Sequence, residues 1–269
     1  MMNYRDPLLI GVPTTVPGSR EAQLEADLDC ALRKGQIEVL FQPQYRLKDD
    51  RLYGAEALAR WQHPQLGLIG AAELFEAAER TDRVADLSQQ IFERALIHAA
   101  RWPADLGLSL NATPREVCEP RFVEKLAAQV AWARRSPRSV TVEITEDVLL
   151  DDIDSAIEVT RRLRNLGFKV SLDDFGAGFC NFRYLKQLHL DSLKLDRAMV
   201  EGIARDVRDL AILRGIVAMA KALSLSVVAE GVEEERQRVL IAAEGCDVYQ
   251  GFLKAAPMPQ GDFLRIAKT

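Results

Sequence analysis

The residues best suited to chemistry are a run of separated oxygen donors and one lysine. Glu56, Asn111, Glu143, Asp173, Asp174, Asp196 and Glu230 are spread along the chain, with Lys194 among them. Gathered in one place, the carboxylates would repel one another and raise each other's pKa unless cations neutralised them. The set holds no His or Cys, which selects hard cations, Mg²⁺ or Mn²⁺, over zinc. Asp173 and Asp174 are adjacent and must leave a strand in different directions, so one carboxylate could bridge two ions while the other serves only the second. Two divalent ions that activate a water and stabilise the attacking and leaving oxygens are a standard device for phosphoester displacement. They would also admit an anionic substrate to an acidic site. The chemistry these residues imply is hydrolysis of a phosphodiester or phosphomonoester.

Such a cluster needs strands to assemble it. Eight short apolar or alternating runs, EVLFQPQY, LYGAEALAR, GLSLNAT, VTVEIT, KVSLDD, SLKLD, SVVAEG and VYQG, alternate with helix-like segments. Among the latter, Leu210, Leu213, Val217 and Ala220 mark one amphipathic face, and Ile153, Ala156, Ile157 and Leu163 mark another. Eight strands and helices over about 250 residues are the element count and size of a (β/α)₈ barrel. A doubly wound open sheet is the alternative, and it lacks its usual Gly-rich phosphate turn here. Side chains alternate across a strand, so Leu108 and Leu110 oppose Ser109 and Asn111, and Val142 and Ile144 oppose Thr141 and Glu143. Val170 and Leu172 oppose Ser171 and Asp173, Leu193 and Leu195 oppose Ser192, Lys194 and Asp196, and Val228 shares a face with Glu230. Each polar face ends in a charged or amide residue at the C-terminal end of its strand, where a barrel gathers its catalytic groups.

The chain has 269 residues, 48% of them hydrophobic, enough for a sizeable core, and this excludes a disordered protein. Its formal charge of −5 gives no general positive surface for a nucleic-acid polymer or an anionic membrane. Cys30, Cys118, Cys180 and Cys246 are scattered, which disfavours a disulfide framework or a Cys-rich zinc site. No apolar run approaches the roughly 20 residues that span a bilayer, and a cytoplasmic protein is expected. Residues 1–20, interrupted by Pro13, Pro17 and Gly18, read as a tail or linker stump, with the domain over residues 21–269. Leu24, Leu28 and Leu32 give a lead-in helix over Arg20–Lys34, of the kind that joins a domain to an upstream sensory or cyclase-like one. His63, His98 and His189 are expected to be structural or surface groups and not ligands, Trp61 and Trp102 to be core or helix-packing aromatics, and Glu233–Glu235 to be mostly a solvated helix start.

Separated motifs run along the chain: FQPQ at 41–44, EALAR at 56–60, LNAT at 110–113, VEITED at 142–147, DDFGAG at 173–178, LKLD at 193–196, VAEGVE at 228–233 and DVYQGF at 247–252. As an ordered set they resemble the EAL-domain family of cyclic di-GMP phosphodiesterases. The resemblance implies a TIM-like barrel with an irregular first strand. It also implies hydrolysis of cyclic di-GMP to linear pGpG with two Mg²⁺ or Mn²⁺ ions, and a homodimer. Carried over position by position, Glu56, Asn111, Glu143 and Asp173 match ligands of a first metal. Asp173 would bridge to a second, held with Asp174 and Glu230. Lys194 resembles the lysine that touches the nucleophilic water, Glu230 is also a candidate proton acceptor, and Asp196 matches a partner of metal or metal-bound water. Arg60 and Leu58 share a strand face with Glu56, placing Arg60 toward a substrate phosphate, and Gln42 and Gln250 match substrate-contacting amides. Glu146 and Glu233 match supports of neighbouring loops.

The sequence departs from the family pattern in three places. Phe179, Cys180, Asn181 and Phe182 replace the common Tyr, Ser, Ser and Leu, His189 stands where proline is frequent, and Leu253–Pro257 departs from the common Leu-Phe-Ser-(Lys/Arg)-Pro. The alternative function is a low-activity or inactive EAL module that binds cyclic di-GMP or a protein partner. A remoter one is a metal-dependent barrel acting on a sugar phosphate. A Schiff-base role for Lys194 is disfavoured, because surrounding carboxylates hold it charged.

Overall fold

The computed structural model describes residues 17–146, 148, 152–176 and 185–268. The chain divides into two compact units: residues up to Leu40 with Leu58–Arg94, and Phe41–Ala57 with Ala95–Thr269.

The first unit holds α1 (Pro17–Lys34), the start of β1 (Ile37–Arg46), the end of β2 (Leu52–His63), β3 (Gly67–Ile69), α2 (Ala71–Arg80) and most of α3 (Val84–Ala99). α1 begins three residues ahead of the expected lead-in helix and buries Leu24, Leu28 and Ala31. Arg20–Glu73, Arg80–Glu25 and Arg83–Asp29 ion pairs flank that stripe. Being largely solvated, these pairs contribute less than the burial. β3 is a short strand that the sequence patterning did not reveal; it pairs antiparallel with β2 through Trp61↔Ile69 and His63↔Gly67. His63 is structural, as expected. Its Nδ1 accepts from the Gln65 and Leu66 amides, which leaves Nε2 to donate to Asp27 at 3.2 Å.

The second unit contains the barrel. Its strands are the end of β1, the start of β2, then β4 (Gly107–Ala112), β5 (Val140–Thr145), β6 (Lys169–Phe175), β7 (Ser192–Leu195), β8 (Ser226–Ala229) and β9 (Val248–Tyr249). They follow the order β1-β9-β8-β7-β6-β5-β4-β2, and a β1–β2 pairing closes the ring. Neighbours from β2 through β9 are parallel, whereas β1 runs antiparallel to β9, with Tyr45 opposite Tyr249. This antiparallel strand is the irregularity the family resemblance implied. Between the strands run α4 (Pro114–Val117), α5 (Phe122–Trp132), α6 (Ile153–Asn165), α7 (Arg197–Glu201), α8 (Val207–Ala222) and α9 (Glu235–Glu244), with α10 (Gln260–Ala267) at the end. α6 buries Ala156, Val159 and Leu163, and α8 buries Leu213, Val217 and Ala220, close to the apolar faces read from the sequence. Trp102 packs against Phe41 and Phe263 at ring-centroid distances of 5.0 and 4.4 Å.

β6 has an irregularity that bears on the site. Its register against β7 passes from Leu172↔Leu193 to Phe175↔Leu195, so three steps on one strand meet two on the other. The extra residue is a β-bulge at Asp173–Asp174, a device that re-aims side chains. Asp174 adopts φ 55°, a left-handed conformation that Asp tolerates better than most residues. Among the described residues, no helix is long and apolar enough to cross a membrane.

Candidate active site

The barrel brings the expected acids together at the ends of its parallel strands, all within the second unit. Asn111 on β4 stands beside Glu143 on β5, and Glu143 beside Ser171 on β6. Carboxylate oxygens of Glu56, Glu143 and Asp173 lie within 4.8 Å of one another, and all three residues are buried. Lys194 stands in their midst with its side chain 1% exposed. Its Nζ lies 2.7 Å from Glu143 Oε2, 2.7 Å from Glu230 Oε1, 3.0 Å from Asp173 Oδ2 and 3.7 Å from Glu56 Oε2.

The electrostatics follow from that crowding. Burial pushes the Glu143 carboxyl up to about 8, with repulsion from Glu56 and Asp173 adding to it and Lys194 opposing it. Burial likewise raises Asp173 above its ordinary value and Glu230 well above its own. Asp174, half-buried at the bulge, is pushed up to about 7 by burial and then by Asp173. Burial opposes the charge on Lys194, yet the surrounding acids outweigh it and hold the ammonium well above 10.5. One ammonium thus faces five carboxyl groups, those of Glu56, Glu143, Asp173, Asp174 and Glu230. The residues fit a divalent cation: an all-oxygen donor set, convergent and short of positive charge.

A buried chain of amides continues from Glu56. Asn111 Nδ2 donates to Glu56 Oε1 at 2.7 Å, and Gln250 Nε2 donates to Glu56 Oε2 at 2.7 Å and to Gln42 Oε1 at 2.9 Å. Gln44 Nε2 donates to Gln250 Oε1 at 3.0 Å, and Gln42 Nε2 reaches the Ala255 carbonyl at 3.4 Å. Gln44 was not singled out from the sequence. Its signal was present, since it lies two residues from Gln42 on β1 and so shares its face.

The remaining expected residues are placed as follows. Glu146 Oε1 accepts from the Gly176 amide at 3.4 Å, at the start of the loop after Asp174. The altered positions Phe179–Phe182 lie outside the described residues. Asp196 caps α7, accepting from the Ala198 amide at 2.8 Å, and its charge adds to the repulsion on Asp174. Glu233 is exposed and pairs with Arg197 at 3.1 Å. Leu58 and Arg60 belong to the first unit, where the Arg60 guanidinium donates to the Ala59 carbonyl at 2.8 Å.

A family model for the EAL domain matches residues 25–257. The chain is 36% identical over 243 residues to the cyclic di-GMP phosphodiesterase RocR of Pseudomonas aeruginosa, covering 89% of this chain and 62% of that protein. It is 35% identical over 258 residues to the cyclic di-GMP phosphodiesterase NbdA of the same organism, covering 93% of this chain and 33% of that one. Among solved structures, the PaMucR phosphodiesterase in complex with c-di-GMP superposes with a TM-score of 0.86 at 32% identity, covering 90% of this chain and all of that one. The EAL enzyme Bd1971, bound to cAMP and cyclic di-GMP, superposes with a TM-score of 0.88 at 28% identity, covering 94% of this chain and 70% of that one. The chain spans 30% to 62% of the length of the curated relatives it matches first. With the family model covering most of its length and Glu56 of the EAL tripeptide carried into the acidic cluster, this protein belongs to the EAL-domain family.

Proposed function

We propose that the domain hydrolyses cyclic di-GMP to linear pGpG with Mg²⁺ or Mn²⁺, two ions per site. The observation that carries this reading is the convergence of Glu56, Glu143 and Asp173 around Lys194 in a barrel whose relatives include named cyclic di-GMP phosphodiesterases. Glu56, Asn111, Glu143 and Asp173 would hold the first ion, and Asp173, Asp174 and Glu230 the second. When bound, the ions neutralise the acids, lower the pKa of a water and offset charge on the scissile phosphate.

The protein's own groups do the rest. Lys194 stays an ammonium, because its neighbours raise its proton affinity; it is a hydrogen-bond donor that orients the attacking water, and it is not the base. Glu230, 2.7 Å from Lys194, is placed to accept the proton of that water. Gln42 and Gln250 offer amide donors and acceptors to a guanine edge or a phosphate, and Gln250 couples that contact to the ligand Glu56.

Incubating the purified chain with cyclic di-GMP and Mg²⁺ or Mn²⁺, against an EDTA control, and separating the nucleotides by chromatography tests the reading. Metal-dependent pGpG is the expected result. Intact nucleotide under every metal condition would refute it.

A further inference from the structure

Gln237 was not among the residues the sequence marked, and it touches none of the acids. The residue is 5% exposed, and its amide is engaged on both sides. Oε1 accepts from the backbone amides of Glu233 and Glu234, at 2.8 Å each, which are orphan donors at the start of α9. Nε2 donates to the carbonyls of Val200 and Glu201, at 3.3 and 3.5 Å, which are orphan acceptors at the end of α7. One side chain therefore caps two helices at once. α7 follows β7, which carries Lys194 and ends at Asp196, and α9 follows the loop from β8 that carries Glu230.

Other contacts draw the same two strand ends together. The Glu230 amide donates to the Leu195 carbonyl at 3.1 Å, and Arg197 pairs with Glu233 at 3.1 Å. Gly231, at φ +63°, lies so close to Arg197 that a Cβ there would meet its Cγ at 2.4 Å. Of the side-chain ties, Gln237 is the buried one, with no exposed charge to be screened by solvent.

We propose that Gln237 is a positioning residue for the proposed reaction: it braces α7 against the Glu230 loop and so fixes the 2.7 Å spacing of Lys194 and Glu230. The proposal deepens the phosphodiesterase reading and rests on it. Gln237→Glu separates the brace from simple helix capping. Glutamate fills the same place in a capping box, so its carboxylate still accepts from the Glu233 and Glu234 amides. It has no N–H for Val200 and Glu201, and it turns an oxygen toward their carbonyls.

The test measures thermal unfolding, Mn²⁺ affinity by calorimetry and cyclic di-GMP turnover for the wild type, Gln237→Glu and Gln237→Leu. For Gln237→Glu the expected result is a melting temperature roughly a few degrees below wild type, since a buried oxygen then faces two carbonyls without a donor, with kcat and Mn²⁺ affinity each lower by about tenfold and KM within about twofold. Gln237→Leu loses the cap as well and melts lower. Wild-type kcat and Mn²⁺ affinity in Gln237→Glu would overturn the brace and leave Gln237 a helix cap. A wild type that fails to hydrolyse the nucleotide would refute the phosphodiesterase reading instead, and Mn²⁺ affinity in the variants would still decide the brace.

Discussion

Replacing Lys194 by methionine removes the ammonium and keeps most of the side-chain volume. That ammonium lies within 3.0 Å of Glu143, Asp173 and Glu230, and it is fully enclosed. Deleting one partner of a buried ionic cluster costs about 3–5 kcal/mol, because the remaining charges lose their compensation. For a domain of this size, each kcal/mol lowers the melting temperature by roughly 2–4 °C, so the expected loss is about 6–20 °C near pH 8. The loss must shrink in acid. Glu143 already holds its proton up to about 8, against an ordinary value of 4.5, so near pH 5 it is neutral and needs no partner. Differential scanning fluorimetry in EDTA at pH 5 and pH 8, repeated with saturating Mn²⁺, measures this directly. Lys194→Met should melt far below the wild type at pH 8 and much closer to it at pH 5, and Mn²⁺ should narrow the gap at pH 8. Equal melting of the two proteins in EDTA at pH 8 would refute the view that Lys194 holds the acids together.

Other outcomes follow from the same geometry. In wild-type protein in EDTA, Glu143 and Asp174 have folded-state pKa values raised from 4.5 to about 8 and from 3.8 to about 7, so the folded state binds more protons than the unfolded chain over that window. Their contribution is fully present below about pH 4 and is lost as pH rises through 7 to 8; the melting temperature should fall from pH 5 to pH 8, and a rise would contradict the assignment. Gln44→Leu strips Gln250 Oε1 of its donor, at a cost of about 1–3 kcal/mol. It should raise KM for cyclic di-GMP more than it lowers kcat, and an unchanged KM would remove Gln44 from the site. Asp196→Asn keeps a good cap for α7, whereas Asp196→Ala loses about 1 kcal/mol of stability. Equal denaturation midpoints for the two variants would exclude the capping role.

The acids were legible because a strand's period of two puts Asn111, Glu143 and Asp173 on polar faces that a closed parallel sheet must turn to one end. Asp174 shows where that logic stops. Strict alternation would send it away from Asp173, and the bulge that re-aims it leaves no mark in residue type, since its signal is a register shift against β7. The direction of β1 was hidden for a similar reason: an apolar run does not state which way it runs, and the antiparallel pairing comes from closure against β9. Glu146 and Glu233 could be named from the motif, but their contacts with Gly176 and Arg197 needed the fold. Gln237 reads in sequence as an ordinary residue in a helix start. Its second set of partners is contributed by residues more than thirty positions away.

The most direct test of the central claim is Mn²⁺ binding and cyclic di-GMP hydrolysis measured on the same samples of wild type and Asp173→Asn. Asparagine can still accept the Asp174 amide through Oδ1 but lacks the charge at the heart of the cluster. The account predicts that the wild type binds Mn²⁺ and forms pGpG, and that Asp173→Asn loses both together while remaining folded. Undiminished Mn²⁺ binding and turnover in Asp173→Asn would contradict it.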